Sequence, residues 1–251
     1  IVSQYKGSGR GEMVTRAASQ ALSTVTVASL AIAVLVLVFH HPTLQLLFGR
    51  ADADVLHNAR IYLIGNCITF PLLGLYSAIT GVLRGIAETR VCLILSLIMN
   101  LTYLGLNILF IVGFDMGVMG LVISLILAKV IGASAATIYI LKYCHKIHFR
   151  IRDVLHVDMA IVKKIMFVGL PFAAEQMFFN GGKLLTQTYI VQFGTLAITA
   201  NAISGSISML SQIGGAALSI AIVTVVGQCI GRGDIQDARR YVRAFLWLSS
   251  M

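Results

Sequence analysis

Six apolar runs, each about as long as a bilayer is thick, dominate this 251-residue sequence. About 20 apolar residues in a helix cross the hydrocarbon core of a membrane. Only helices and closed barrels satisfy their backbone hydrogen bonds in lipid, and barrel strands are alternating segments of about ten residues. The runs therefore predict an all-α integral membrane protein. The six predicted spans are 17–39, 62–82, 91–112, 118–141, 165–192 and 197–226.

The basic residues divide unevenly between the two sets of span ends. Only 12% of the residues are charged, and the net charge is +9. Fifteen of the 19 Lys and Arg residues fall at one set of ends, whereas the other set has only Arg50 and Arg60; Lys129 and Lys183 lie within spans. Because loops rich in Lys and Arg stay in the cytoplasm, the rich side, which includes residues 142–164, is predicted to be cytoplasmic in a cell-membrane protein. This spread over many connections argues against a nucleic-acid-binding face.

An internal repeat relates the start of the chain to its last quarter. Residues 2–9 align without a gap to residues 226–233, at an offset of 224. The identical pairs include Gln4 with Gln228, Gly7 with Gly231, Gly9 with Gly233 and Arg16 with Arg240. Chance identity in so short a window is the alternative, but duplication is common in transporters and the two copies precede equivalent spans.

Duplication at this offset makes six spans one repeat. The sequence then predicts a protein of twelve helices in two six-helix lobes, of which this chain supplies six. Residues 1–155 are predicted to be part of the N-terminal lobe, its helices 3 to 6. Residues 156–251 are predicted to supply helices 7 and 8 of the C-terminal lobe and the approach to helix 9. The linker between the lobes falls at about 142–164.

Two charged side chains, Glu175 and Lys183, lie inside the fifth span. An ionisable residue in a membrane helix is costly and usually faces a cavity, a partner or a translocated ion. Eight residues at about 1.5 Å each separate the two by on the order of 12 Å along the axis, so they do not neutralise each other. Glu175 is therefore a predicted functional residue, with a satisfied packing pair as the alternative.

Polar side chains on four spans are candidates for lining a cavity. Spacing of i, i+4, i+7 and i+11 places those of the fifth span on one face. Packing between helices through small and polar residues is the alternative for the uncharged members. For Lys129 the alternative is a bond to a carboxylate or a backbone carbonyl. The candidates are Gln176, Asn180, Lys183 and Gln187 on the fifth span, Asn201, Ser208 and Gln212 on the sixth, Asn100 and Asn107 on the third, and Lys129 on the fourth.

The sequence predicts neither a metal site nor an enzyme. Its four cysteines have no CxxC spacing and are predicted to be free thiols. Cys144, His145, His148 and His156 are close in sequence but form no recognisable tetrahedral set, and a solvated loop explains them better. No nucleophile, base and orienting group fall at recognisable spacings.

The motifs in their order resemble the MATE (multidrug and toxic compound extrusion) transporters over the whole chain. The resemblance implies two six-helix lobes around a central cavity. It also implies export of organic, often cationic, compounds driven by Na⁺ or H⁺ entry, so that an organic small molecule, the coupling ion and the bilayer are the expected partners. The matching motifs are Leu170-Pro171, Glu175-Gln176, Gly182, Gly194-Thr195, Ala200-Asn201, Leu83-Arg84-Gly85, Thr89-Arg90 and the paired Gln and Gly residues of the repeat.

The resemblance implies functional roles for two residues. Glu175 matches the seventh-helix carboxylate associated with cation coupling or substrate binding. Asn107 matches the fifth-helix Asn of a cation site in the first lobe, although Ile111 stands where some members have Asp. A lipid-linked precursor flippase of the same superfamily and a non-transporting membrane scaffold are the alternatives to a multidrug exporter.

Overall fold

The computed structural model describes residues 1–42, 44, 53–144, 158–191 and 193–249. These residues are 92% helical and contain no strand. Two π-helical turns, Ile108–Gly113 and Tyr139–Tyr143, directly follow two of the α-helices. The helices are α1 Val2–Gly7, α2 Gly11–Val38, α3 Ala53–Gly85, α4 Thr89–Asn107, α5 Gly117–Ile138, α6 Met159–Val191, α7 Thr195–Arg232 and α8 Ile235–Ser249.

The predicted all-α membrane class is confirmed. Five described helical stretches are long and apolar enough to cross a membrane, and each coincides with one predicted span. They are Gly11–Val38, Leu56–Gly85, Thr89–Gly113, Gly117–Tyr143 and Leu196–Arg232. The remaining predicted span, 165–192, overlaps α6 up to residue 191. This helix has 33 residues, which is long enough to cross, and it includes the charged Glu175 and Lys183.

The chain forms two compact units. The first unit contains α2, α3, α4 and α5, and the second contains Ser3–Arg10 together with α6, α7 and α8. Residues 3–10 group with the second unit because α1 packs on the end of α7. The division into lobes at residue 155 stays a prediction, and residues 145–157 of the predicted linker lie outside the described part of the chain.

The first unit is held together by α3, which packs against both α2 and α5. Ile79 and Leu83 of α3 are completely buried. Glycines bring the helix backbones close, since a Cβ on Gly74 would overlap the side chain of Ser29, and one on Gly132 would lie 2.8 Å from Met99 Cγ. Small residues at such contacts are the usual means of packing helices in a membrane, where burial of apolar surface gives no advantage over lipid.

In the second unit the two copies of the repeat pack against each other. A Cβ on Gly7 would overlap the backbone carbonyl oxygen of Gln228, and a Cβ on Gly231 would overlap that of Gln4. Each glycine thus faces the glutamine carbonyl of the other copy. We call these four residues the glycine crossing. The reciprocal arrangement is what an approximate twofold relation between two copies of one motif produces.

Candidate functional site

A cavity of about 670 Å³ lies between α6 and α7 in the second unit. Its wall combines aromatic rings, one ammonium group, amides and a hydroxyl. Gly182 and Gly205 leave space in it, because a Cβ on either would meet no atom within 4 Å. The lining residues are Phe178, Phe179, Gly182, Lys183, Thr186, Gln187 and Ile190 of α6 and Asn201 and Gly205 of α7.

Helical periodicity explains why α6 supplies most of this wall. Residues three and four positions apart lie on the same helix face, and Phe179, Lys183 and Gln187 follow that spacing. The structure brings three of the predicted cavity-lining candidates into this one cavity, namely Lys183, Gln187 and Asn201.

Lys183 is the only charged side chain among the described residues that line the cavity. Its Nζ lies 4.6 Å from the centroid of the Phe179 ring, one helical turn earlier. Such a cation–π contact contributes about 0.5–1 kcal/mol at an exposed site. It holds the ammonium group at the wall without neutralising its charge.

An amide pair joins the two helices at the cavity. Asn201 Nδ2 of α7 donates a hydrogen bond of 3.1 Å to Gln187 Oε1 of α6. On α6, Thr186 Oγ1 donates to the backbone carbonyl of Gly182 at 2.9 Å. The Thr186 hydroxyl therefore faces any ligand as an acceptor, whereas the Gln187 amide group still has both of its N–H donors.

Glu175 lies on α6 but does not line this cavity. It is exposed, and no side chain in the described part of the chain pairs with it. A carboxylate without a fixed cationic neighbour is free to bind a mobile one. The role of Glu175 in ion coupling stays a prediction.

Other predicted lining residues are not brought to the cavity. Gln176 and Asn180 lie earlier on α6, where Asn180 Nδ2 donates to the Gln176 carbonyl at 2.9 Å. Ser208 and Gln212 are exposed residues further along α7. Their contribution to a larger cavity remains a prediction.

In the first unit, Lys129 reaches across from α5 to α3. Its Nζ donates a 3.1 Å hydrogen bond to Thr69 Oγ1. Thr69 is completely buried and donates its own proton to the carbonyl of Asn66 at 2.8 Å. The partner is thus a hydroxyl, and not the carboxylate or backbone carbonyl that the sequence also allowed.

The two candidate asparagines on α4 differ in whether their side-chain amides are hydrogen-bonded. Asn100 Nδ2 donates to the Ser96 carbonyl at 2.8 Å and to Ser96 Oγ at 3.2 Å, so this amide is bonded within its own helix. Asn107 ends α4, directly before the first π-helical turn, and its buried Oδ1 accepts no hydrogen bond from the described residues. Asn107 is therefore the better candidate for holding a ligand.

Sequence reasoning missed two kinds of site residue. Phe178 and Phe179 resemble lipid-facing side chains in an apolar helix, and only the i, i+4 spacing from Phe179 to Lys183 could have indicated the cation–π contact. Thr69 is 60 residues from Lys129. No local pattern predicts a contact over that separation.

The comparisons with known proteins decide the family. A family model described as MatE matches residues 1–109 and 171–251, which is more than half of the chain. The chain belongs to the MatE family. The resemblance to MATE transporters that the sequence motifs indicated is thereby confirmed.

Relatives of this MatE-family chain include two bacterial proteins. The uncharacterized transporter YisQ of Bacillus subtilis is 24% identical over 253 residues, covering 98% of this chain and 55% of that protein. The probable multidrug resistance protein NorM of Thermotoga maritima is 26% identical over 213 residues, covering 82% of this chain and 44% of that protein. The chain spans about half the length of the curated relatives it matches.

A solved structure shows the same fold. It is the structure of a multidrug resistance MATE family transporter of the MOP superfamily in its outward-facing conformation. The two structures superpose with a TM-score of 0.88 at 17% sequence identity, over 98% of this chain and 55% of that chain. The Bacillus subtilis relative and this solved structure are both described as transporters.

Proposed function

We propose that the full-length protein is a secondary-active multidrug exporter that moves organic compounds out of the cell in exchange for Na⁺ or H⁺. The observation that carries the proposal is the cavity between α6 and α7, two long helices of a MatE-family chain. Its rings, amides and ammonium group are the partners with which a pocket holds an organic small molecule. The Thermotoga maritima relative is named a probable multidrug resistance protein.

Glu175 is the proposed coupling residue. The other acidic residues in the described part of the chain lie in the first turns of helices or between helices, whereas Glu175 lies well inside α6. The same helix supplies most of the cavity wall, and Glu175 lies eight residues before Lys183 of that wall. Binding of Na⁺ or H⁺ to Glu175 changes the charge beside the cavity, and an ion that binds one conformation better shifts the population toward it.

The proposed setting is the cell membrane, with the basic helix ends in the cytoplasm. Those ends include residues 142–164, of which 145–157 lie outside the described residues. The coupling ion is the only cofactor proposed, and the substrate and the lipid bilayer are the proposed partners.

Glu175→Gln should abolish ion-driven transport while leaving the protein folded, because glutamine keeps the shape of the side chain but cannot carry its charge. The measurement is dye movement by the full-length protein in sealed vesicles after a Na⁺ or pH gradient is imposed. A panel of cationic and anionic organic dyes avoids assuming the substrate, and the gradient that drives movement identifies the ion.

Glu12→Gln is the matched control, because it removes the same charge from a residue in the first turn of α2, away from α6. It should transport like wild type. Wild-type rates in Glu175→Gln would refute the assignment of Glu175. Absence of gradient-driven movement of every dye by the wild-type protein would refute the exporter and favour the scaffold.

A further inference from the structure

The electrostatic character of the α6–α7 cavity indicates which substrates it prefers. Lys183 supplies its only formal charge among the described lining residues, and that charge is positive. Glu175 lies on the order of 12 Å away along the helix axis. Glu175 does not line the cavity, so a ligand in contact with Lys183 meets the ammonium group directly and the carboxylate only at a distance.

Hydrogen-bond donors also outnumber acceptors in the wall. The Lys183 ammonium has three N–H groups, and the Gln187 amide has two. Gln187 Oε1 already accepts one hydrogen bond from Asn201, so one of its two lone pairs is occupied. The other acceptors on these polar side chains are Asn201 Oδ1 and the Thr186 hydroxyl oxygen. A ligand rich in acceptors satisfies this wall better than one rich in donors.

The aromatic residues argue in the same direction. Organic cations bind to the faces of aromatic rings. Here the Phe179 ring already has the Lys183 ammonium group at 4.6 Å, so a second cation at that ring would meet a like charge. The neighbouring Phe178 ring is 84% exposed and offers its surface to an aromatic ligand.

We propose, on the basis of the export function above, that this cavity selects aromatic organic anions over organic cations. The carboxylate, sulfonate or phosphate group of the substrate binds Lys183 Nζ and the Gln187 amide, and its ring packs on Phe178. This preference is opposite to the cationic compounds that the sequence resemblance implied.

Two probes that differ only in charge test the proposal. The full-length protein is placed in phosphatidylcholine vesicles, which have no net-anionic lipid to compete for Lys183. Equilibrium binding is then measured for pyrene carrying a sulfonate and for pyrene carrying a trimethylammonium group on the same linker. We expect the sulfonate to bind about tenfold more tightly, because its hydrogen bonds from the Lys183 ammonium group are charge-assisted whereas the trimethylammonium group meets a like charge.

Variants of Lys183 assign the preference to the cavity. Lys183→Arg should keep it, Lys183→Gln should remove it, and Lys183→Glu should reverse it in favour of the ammonium probe. Lys164→Glu makes the same change of charge on α6 outside this cavity and should behave like wild type. Because each variant is compared through the ratio of two probes, partial loss of folded protein lowers both signals and leaves the ratio unchanged.

The binding ratio is independent of ion-driven transport. Glu175→Gln should lose transport and retain the preference for the sulfonate, so the coupling assignment and the substrate class fail separately. Tighter binding of the ammonium probe by the wild-type protein would overturn the anion proposal, as would a ratio that Lys183→Glu leaves unchanged.

Discussion

Gly231→Leu should lower the unfolding temperature of the full-length protein by roughly 5–10 °C, because overpacking a close contact costs up to about 3 kcal/mol. A side chain at this position would occupy the place of the Gln4 backbone carbonyl. Backbone atoms of a helix cannot rotate away as the end of a side chain can. The substitution must therefore separate α1 from α7.

Reciprocity of the glycine crossing adds a second expectation. Gly7→Leu should have an effect of similar size, since Gly7 faces the Gln228 carbonyl in the same way. The double variant should be little less stable than either single variant. Once one leucine has separated the helices, the second occupies space that is already open, and substitutions that share a contact are not additive.

A thiol-reactive fluorogenic dye measures the unfolding. The four cysteines of this chain form no disulfide and are buried, so their thiols react when the protein opens on heating. Gly11→Leu is the control, because Gly11 lies near the crossing and a Cβ there meets no atom within 4 Å. An unfolding temperature for Gly231→Leu that equals that of Gly11→Leu would show that the crossing does not hold α1 in place.

The repeat illustrates what the sequence could and could not predict about this fold. Alignment of Gln4 and Gly7 with Gln228 and Gly231 picks out the four residues of the glycine crossing, because duplication leaves a local sequence pattern. It did not predict that the two copies touch. A repeat specifies equivalent positions, and two equivalent surfaces contact each other only if the symmetry between them brings them together.

The helical spans were predictable for a different reason. Length and hydropathy are properties of one continuous segment, and the membrane requires each segment to satisfy its own backbone. The fifth span is predicted from the same apolar length, although its run includes Glu175 and Lys183. The boundaries differ where polar helix ends extend beyond the lipid-crossing part, as in α6, which begins at Met159 and not at residue 165.

Periodicity accounts for the part of the candidate site that the sequence foresaw. Lys183 and Gln187 were placed on one face of a helix, and the structure places both in one cavity. The connection from α6 to α7 is short, so Asn201 could be expected on a neighbouring helix. Distant pairs such as Lys129 with Thr69 could not be foreseen, since which helices become neighbours depends on packing of the whole unit.

Thr69→Val should destabilise the protein by about 2–3 kcal/mol, more than expected for loss of one hydroxyl, because it leaves the Lys129 ammonium group without its partner. Valine has nearly the shape of threonine, so packing around this completely buried position changes little. The matched control is Thr80→Val on the same helix. Thr80 is also buried, but its hydroxyl bonds only the backbone carbonyls of Tyr76 and Ser77.

The pair predicts an asymmetry that a simple hydrogen bond would not give. Lys129→Met should lower the free energy of unfolding by less than about 1 kcal/mol or even raise it, because an apolar side chain of similar length replaces a charge in the membrane. Thr69 keeps its hydrogen bond to the Asn66 carbonyl in this variant. In a Lys129→Met background, Thr69→Val should then behave like Thr80→Val. Equal losses from Thr69→Val in both backgrounds, measured with the same thiol-reactive dye, would show that Lys129 does not depend on this hydroxyl and is satisfied by other groups.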